Sequence, residues 1–486
     1  MHKSSLLEML RTFSKKELIS FEEFLHSPFH NKNSNAVKLF LIIKKFAPEF
    51  TNEMLGKEKV WSKLYPGKSF NYGVLKNLIF ELSKLAENFM AVTYLQSNDT
   101  YDETLIASMK ERKIFGLMTK KINSFEKKLD EETSIDENYL IKKFRLSEFK
   151  IGLFSNERLY DEFREEAQKN LVKYFLIKYF AGIFNFYVDY NNRGRDFDKE
   201  LLNLLLIYFR DKMKMFSDTP LLKIYFSALE ALDDNSNGKL YHKTYKLFRD
   251  NHSVINKADR ENIYTILQLI CHLSRSNHNF NYNLENFNLY KNMVQDNVLV
   301  DGVTGKLDLN TYRNVILMSS GLEKPEFMKK FRDEYFDKVK TGDKEHIKKY
   351  SDAMIYFTQK NYKKCFEVTS TIEFNKYFNS VIDSFFFKID VKGLAIICCY
   401  ELEYYESFFN ACETTKKFLT GGKKDDMARA QPFLDYIKYF TKLVKYKLDN
   451  DKDSLSLLKK EIESQLPFFG KKFLVKKIDE ILKLRN

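Results

Sequence analysis

Three short stretches carry residue types at spacings that could do chemistry. Asp233-Asp234-Asn235-Ser236-Asn237-Gly238 puts oxygen ligands at the first, third and fifth places of a calcium loop, Gly at the sixth and Leu240 at the eighth. Thr244 stands at the twelfth, where a bidentate carboxylate must close the coordination shell, so the stretch reads as an Asn/Asp/Gly turn between helices. Gly302-Val303-Thr304-Gly305-Lys306 looks like the end of a phosphate-binding loop, in which backbone amides cradle an anion. Leu307, however, replaces the magnesium-binding Ser or Thr, Val300 replaces the leading Gly, and no strand precedes it; this too reads as a turn. His26 and His30 stand four apart, the spacing that aligns two metal ligands on one helix face, but Pro28 breaks the helix that would align them.

Catalytic signatures are otherwise missing. There is no HExxH, no Gly-x-Ser-x-Gly and no Gly-x-Gly-x-x-Gly, and in a chain this charged a pair such as Glu165 and Glu166 says nothing about acid-base work. The five Cys (271, 365, 398, 399 and 412) form no CxxC pair and sit in apolar helical contexts. Small core residues in a reducing compartment account for them better than disulfides or zinc. We therefore expect no enzyme, no cofactor and no metal.

Among 486 residues only 16 are Gly and seven Pro, against 45 Phe and 29 Tyr, which favours long helices, short connections and a large aromatic core. A chain this long exceeds one compact helical core, so several domains or a repeat array is expected. The net charge of +13 could mark a nucleic-acid or anionic-membrane partner, yet just 15 of the 80 basic residues are Arg, the side chain on which phosphate recognition leans. Glu8 and Arg11 interrupt any apolar run after Met1, so no targeting segment is read and a cytoplasmic location is expected. The best candidate for a membrane span, 171–190, carries Lys173, Lys178, Asn185 and Asp189 and reads as a buried helix instead.

The positioning elements follow in order. Ser14-Lys15-Lys16-Glu17 is a capping box that starts a helix running to about His26, where Pro28 stops the chain in a turn. Helices over 37–46 and 59–64, the Tyr65-Pro66-Gly67-Lys68 turn and a helix from about Asn71 to Tyr94 complete an N-terminal module, residues 1–97, with Trp61 in its core. Long apolar helices fill 98–216, and 201–209 is so apolar that both its sides must be covered. From 217 to 486 the elements shorten into hairpins: 221–232 with 240–248, 260–273 with 284–293, 309–318 with 326–339. Helices at 433–448 and 454–462 follow, and a basic amphipathic helix at 471–484 closes the chain as a cap.

Between Ala353 and Leu419 two hairpins of one design lie end to end. Ala353, Tyr356 and Phe357 lead into a polar corner, then Tyr362, Cys365, Phe366 and Thr369 recur at spacings of three and four. A shift of 42 positions reproduces the pattern at Ala395, Cys398, Cys399, Tyr404, Ser407, Phe408 and Ala411. This resembles the tetratricopeptide helix-turn-helix, in which a small residue sits where two helices touch and a Tyr wedges the corner. The family's Trp and Pro positions are not filled. The stretch 289–298 with 309–316 is similar to one pentatricopeptide unit, and a single unit cannot read an RNA strand. Through Ser-Lys-Lys-Glu-Leu, Ser-Pro-Phe-His-Asn-Lys-Asn and Leu-Tyr-Pro-Gly-Lys the N-terminal region resembles an uncharacterised family of helical Bacteroidota proteins.

The expected architecture is thus all-α: an N-terminal helical module followed by a tetratricopeptide-like α-solenoid of antiparallel helix pairs. The resemblance implies a non-enzymatic scaffold or adaptor for a protein or peptide. In such arrays the first helix of each hairpin lines the groove. That register nominates Tyr350, Met354, Lys392 and Tyr400 as partner contacts for a peptide with apolar anchors and an acidic group. The alternative is an RNA- or DNA-binding protein using Lys-rich faces, with 71–94 as a recognition helix, although its turn at 65–70 is long for a helix-turn-helix.

Overall fold

The structure, a computed structural model, describes all residues except 1–3, 98–99, 154–156, 194–197, 234–237, 275–279, 303, 341–343, 374–382, 422–423, 466–467 and 484–486. Among the described residues the chain is all-α, with 23 α-helices, short 3-10 turns and no strand; a lone parallel bridge joins Leu307 and Val339. It divides into two compact units, residues 1–133 with 138–172, and residues 134–137 with 173–486. Neither limit coincides with the breaks expected near 97 and 216.

In the first unit the capping box at Ser14 forms as its residue types require. The Ser14 hydroxyl accepts from the Glu17 amide at 3.2 Å, and the Glu17 carboxylate accepts from the Ser14 amide at 2.7 Å. The resulting helix, Lys15–His26, places Phe21 at the centre of a core reaching from Leu6 to Phe89, with the Phe40 and Phe89 rings 4.9 and 5.2 Å away. Helix Tyr72–Ser97 contributes Leu75, Leu78, Leu82, Leu85 and Phe89 from one face. Trp61 is buried there, and its indole N–H donates to the Lys68 carbonyl at 3.1 Å.

The second unit is built largely from antiparallel hairpins, and the three pairs expected between 220 and 339 all form. Six times among the described residues a helix ends with one residue in the left-handed region, at Lys113, Asn297, Glu323, Lys360, Glu403 and Asn450. The amide after each reaches back five residues to a helical carbonyl at 2.8–3.0 Å, satisfying a group that the helix end would leave bare. These corners correct the repeat register. Lys360 and Glu403 lie 43 apart, not 42, so the counterpart of the half-buried Tyr362 is Tyr405 rather than the exposed Tyr404. The counterpart of Cys365 is then Phe408, and both are fully buried.

A second correction concerns helix Lys199–Asp211. Of its side chains only Leu202 and Phe209 are buried, Phe209 stacking on Phe216 and Phe226 at 4.7 Å each. Leu201, Leu204, Ile207 and Tyr208 remain 38, 59, 55 and 39 % exposed. One face packs, so the apolar composition does not reflect cover on both sides.

Candidate functional site

The four residues nominated as a groove do not share a surface. Tyr350 is fully buried, and its hydroxyl donates to Asp390 Oδ2 at 3.0 Å. Asp390 also receives a fork from Arg313, with Nη2 on Oδ1 at 2.8 Å and Nε on Oδ2. Burial pushes the Asp390 carboxyl up, against the pull of Arg313 and Tyr350. Met354 is buried in the same helix, Lys344–Thr358. Tyr400 is buried beside Phe440, its centroid 5.1 Å away, and the Lys447 ammonium lies over its ring. Lys392 alone keeps part of its side chain in water; its ammonium sits 5.6 Å from the Phe418 centroid, and burial holds it below the usual ammonium range. The apolar face of the first helix is therefore its packing face, and Tyr350, Met354 and Tyr400 are covered by the protein's own helices.

The turns likewise use their polar groups internally. The Asp301 carboxylate accepts from the Thr304 amide at 2.6 Å, and the Gly305 amide donates to the Asp301 carbonyl at 2.9 Å. Amides that would have to face a phosphate are thus already engaged. Of the calcium-like stretch, 234–237 lies outside the described residues. Thr244 at its twelfth place is buried and bonded to Ser227 and to the Leu240 carbonyl, both at 2.9 Å. In the pentatricopeptide-like stretch Arg313 is spent on Asp390 rather than offered to a base. All five cysteines are free and buried. Burial pushes the Cys271 and Cys412 thiols up to about 12 and Cys399 to about 11, so none of these three presents a thiolate near neutral pH. Among the described residues no three His, Cys, Asp or Glu could jointly hold a metal ion.

A pocket that no local motif announces lies within the second unit. It has a volume of about 380 Å³ and is walled by three helices: Lys178, Ala181, Gly182 and Asn185 from Glu157–Arg193, Tyr225 from Pro220–Asp233, and Asn262, Thr265, Ile266 and Leu269 from Lys257–Leu273. Spacings of three and four on the first and third of these helices put their lining residues on one face of each. A side chain at Gly182 would meet nothing within 4 Å, so that glycine leaves the cavity open.

Behind the wall sits a carboxylate cluster. Asn256 caps helix Lys257–Leu273, its side-chain oxygen accepting from the Asp259 amide at 2.8 Å; its amide group donates to Asp259 at 2.9 Å and to Asp136 at 2.6 Å. Lys178 pairs with Glu137 at 3.0 Å. Burial first, then the neighbouring Asp136 and Glu137, push the Asp259 carboxyl up to about 6, and burial likewise raises the Tyr225 phenol. An aspartate raised in the fold stabilises it while protonated, below the ordinary aspartate range, and loses that contribution as the pH rises through about 6. Asp259→Asn, which keeps an acceptor for Asn256, is therefore expected to raise the melting temperature of this unit at pH 8 by up to about 5 °C. The gain should fade by pH 4, and melting curves at both values check it. An equal gain at both would show that the charge is not the cause.

No family model matches the chain, and no curated protein matches it in sequence.

Proposed function

We propose that this chain is a non-enzymatic helical scaffold that holds a protein or peptide partner. One observation carries the reading: helix Lys199–Asp211 leaves Leu204 and Ile207 more than half exposed, and Leu201 and Tyr208 more than a third. A fully buried Leu or Ile contributes about 1.5–3 kcal/mol, so a helix that packs through Leu202 and Phe209, with Leu205 and Leu206 half-buried, and leaves four more large apolar side chains exposed forgoes stability that a partner can recover. The resemblance of 353–419 to tetratricopeptide hairpins supports the same reading. So do the Cys side chains, which suit a reducing, cytoplasmic setting. Among the described residues no helix is long and apolar enough to cross a membrane.

The nucleic-acid alternative draws on the net charge of +13. Against it, several arginines that could fork onto phosphate are engaged within the protein: Arg145 with Glu103, Arg249 with Asp296, Arg313 with Asp390 and Arg332 with Asp352. The test is recovery of partners by the tagged chain, with and without nuclease, for wild type and for Leu204→Asp with Ile207→Asp. Both positions are more than half exposed, so the variant should melt as wild type does. Partners that survive nuclease but are lost by the variant are the expected result. Partners lost only to nuclease would favour the alternative, and recovery unchanged by the variant would remove the stripe from the function.

A further inference from the structure

The exposed stripe has charged ends. Glu200, Leu204, Ile207 and Asp211 follow one another at intervals of four, three and four, which on an α-helix makes a single ridge. Its apolar centre is Leu204 and Ile207, and a carboxylate stands at each end about 16 Å apart. Both carboxylates are exposed, and neither has an ion-pair partner among the described residues. Lys199 and Arg210 lie roughly a quarter-turn around the helix, Arg210 directed at Glu230 at 3.4 Å. Leu201 and Tyr208 widen the apolar strip on the side away from those cations.

Resting on the scaffold reading above, we infer that this ridge takes an amphipathic helix of a partner protein, with apolar residues at its centre and a Lys or Arg near each end. Apolar anchors meet Leu201, Leu204, Ile207 and Tyr208, while the two cations meet Glu200 and Asp211. An acid-ended helix would bring like charges together at both ends, so the carboxylates select among helices that the apolar strip alone would accept. A second copy of this chain is the competing occupant, and it has no such charge pattern on offer at this ridge, because two copies would oppose acid to acid when laid in register.

The experiment uses the full chain and two synthetic amphipathic peptides of about 14 residues. Both have the same Leu pattern; one carries Lys at the two end positions and the other Glu. Binding is read by fluorescence anisotropy, with light scattering for self-association. The expected result is about tenfold tighter binding of the Lys-ended peptide, weakening as salt is raised. The preference should reverse in Glu200→Lys with Asp211→Lys, and both peptides should be lost by Leu204→Asp with Ile207→Asp. Equal binding of the two peptides, a preference that survives the double charge reversal, binding of neither peptide, or self-association through this ridge would each overturn the inference. The scaffold reading fails separately, through partner recovery that the Asp double variant leaves intact.

Discussion

Arg313→Ala is expected to cost the second unit about 3–5 kcal/mol, because it strands the Asp390 carboxylate in the interior without its counter-ion. Asp390 is buried and receives both nitrogens of the Arg313 fork and the Tyr350 hydroxyl, so the pair is held by geometry as well as charge. The loss should be larger at pH 8 than at pH 5. A buried Asp deprived of its cation has its pKa raised in the fold, so the fold is favoured where the group is protonated and disfavoured as pH rises through that raised value. Replacing the three members together, by Arg313→Met, Asp390→Leu and Tyr350→Phe, should recover most of the stability, since apolar packing often equals a buried ion pair once both charges are gone. Urea unfolding at the two pH values measures all of this. A single substitution costing under about 1 kcal/mol would mean that water reaches Asp390.

Gly470→Ala should be the other severe lesion, at about 2–4 kcal/mol, because two costs coincide there. Gly470 has φ of +72°, where an L side chain crowds its own backbone, and a Cβ would overlap the ring of Tyr436. That ring is buried, with the Phe440 and Phe469 centroids at 5.4 and 5.3 Å, and has no room to withdraw. The turn also sets the start of the closing helix Lys471–Lys483, whose Leu474 and Ile478 complete the C-terminal core. Gly67 supplies the comparison: its φ is +75° but nothing lies within 4 Å. Gly67→Ala should therefore cost about 1 kcal/mol, the backbone part alone. Equal losses at the two glycines in thermal or urea melts would refute the steric part of the argument.

The helical class was readable because few breakers and spacings of three and four point the same way over most of the chain. Ser14 and Glu17 even located a helix start to the residue, since a capping box is a local hydrogen-bond pattern written in residue types. Corners are less legible in the sequence, and the reason is physical. A helix usually marks its left-handed end with Gly, but here Lys360 and Glu403 occupy that conformation. With no glycine to fix the corner, residue types alone put the corner Tyr at 404, one residue short of Tyr405, the position that the left-handed Glu403 sets. Periodicity puts Tyr350 and Met354 on one face; it does not say which neighbour lies against that face, and the neighbour is the protein itself. Leu201–Phe209 shows the converse, since apolar composition is the same whether a face meets its own core or is left uncovered. The pocket walled by Lys178, Tyr225 and Asn262 leaves no trace in any local motif, because its residues come from three helices far apart in the chain.

The six left-handed corners bear on how the molecule comes into being. Each is closed by an amide and a carbonyl five residues apart, so the bond that reverses the chain forms without waiting for any distant segment. Closing so short a loop costs little entropy, and chains dominated by such near-neighbour encounters fold quickly for their size. Hairpins of this kind can therefore acquire shape one after another as the polypeptide leaves the ribosome, each completed pair offering a template to the next. The ion pair of Arg313 with Asp390 spans 77 residues and can only close afterwards, as a late lock on helices already formed.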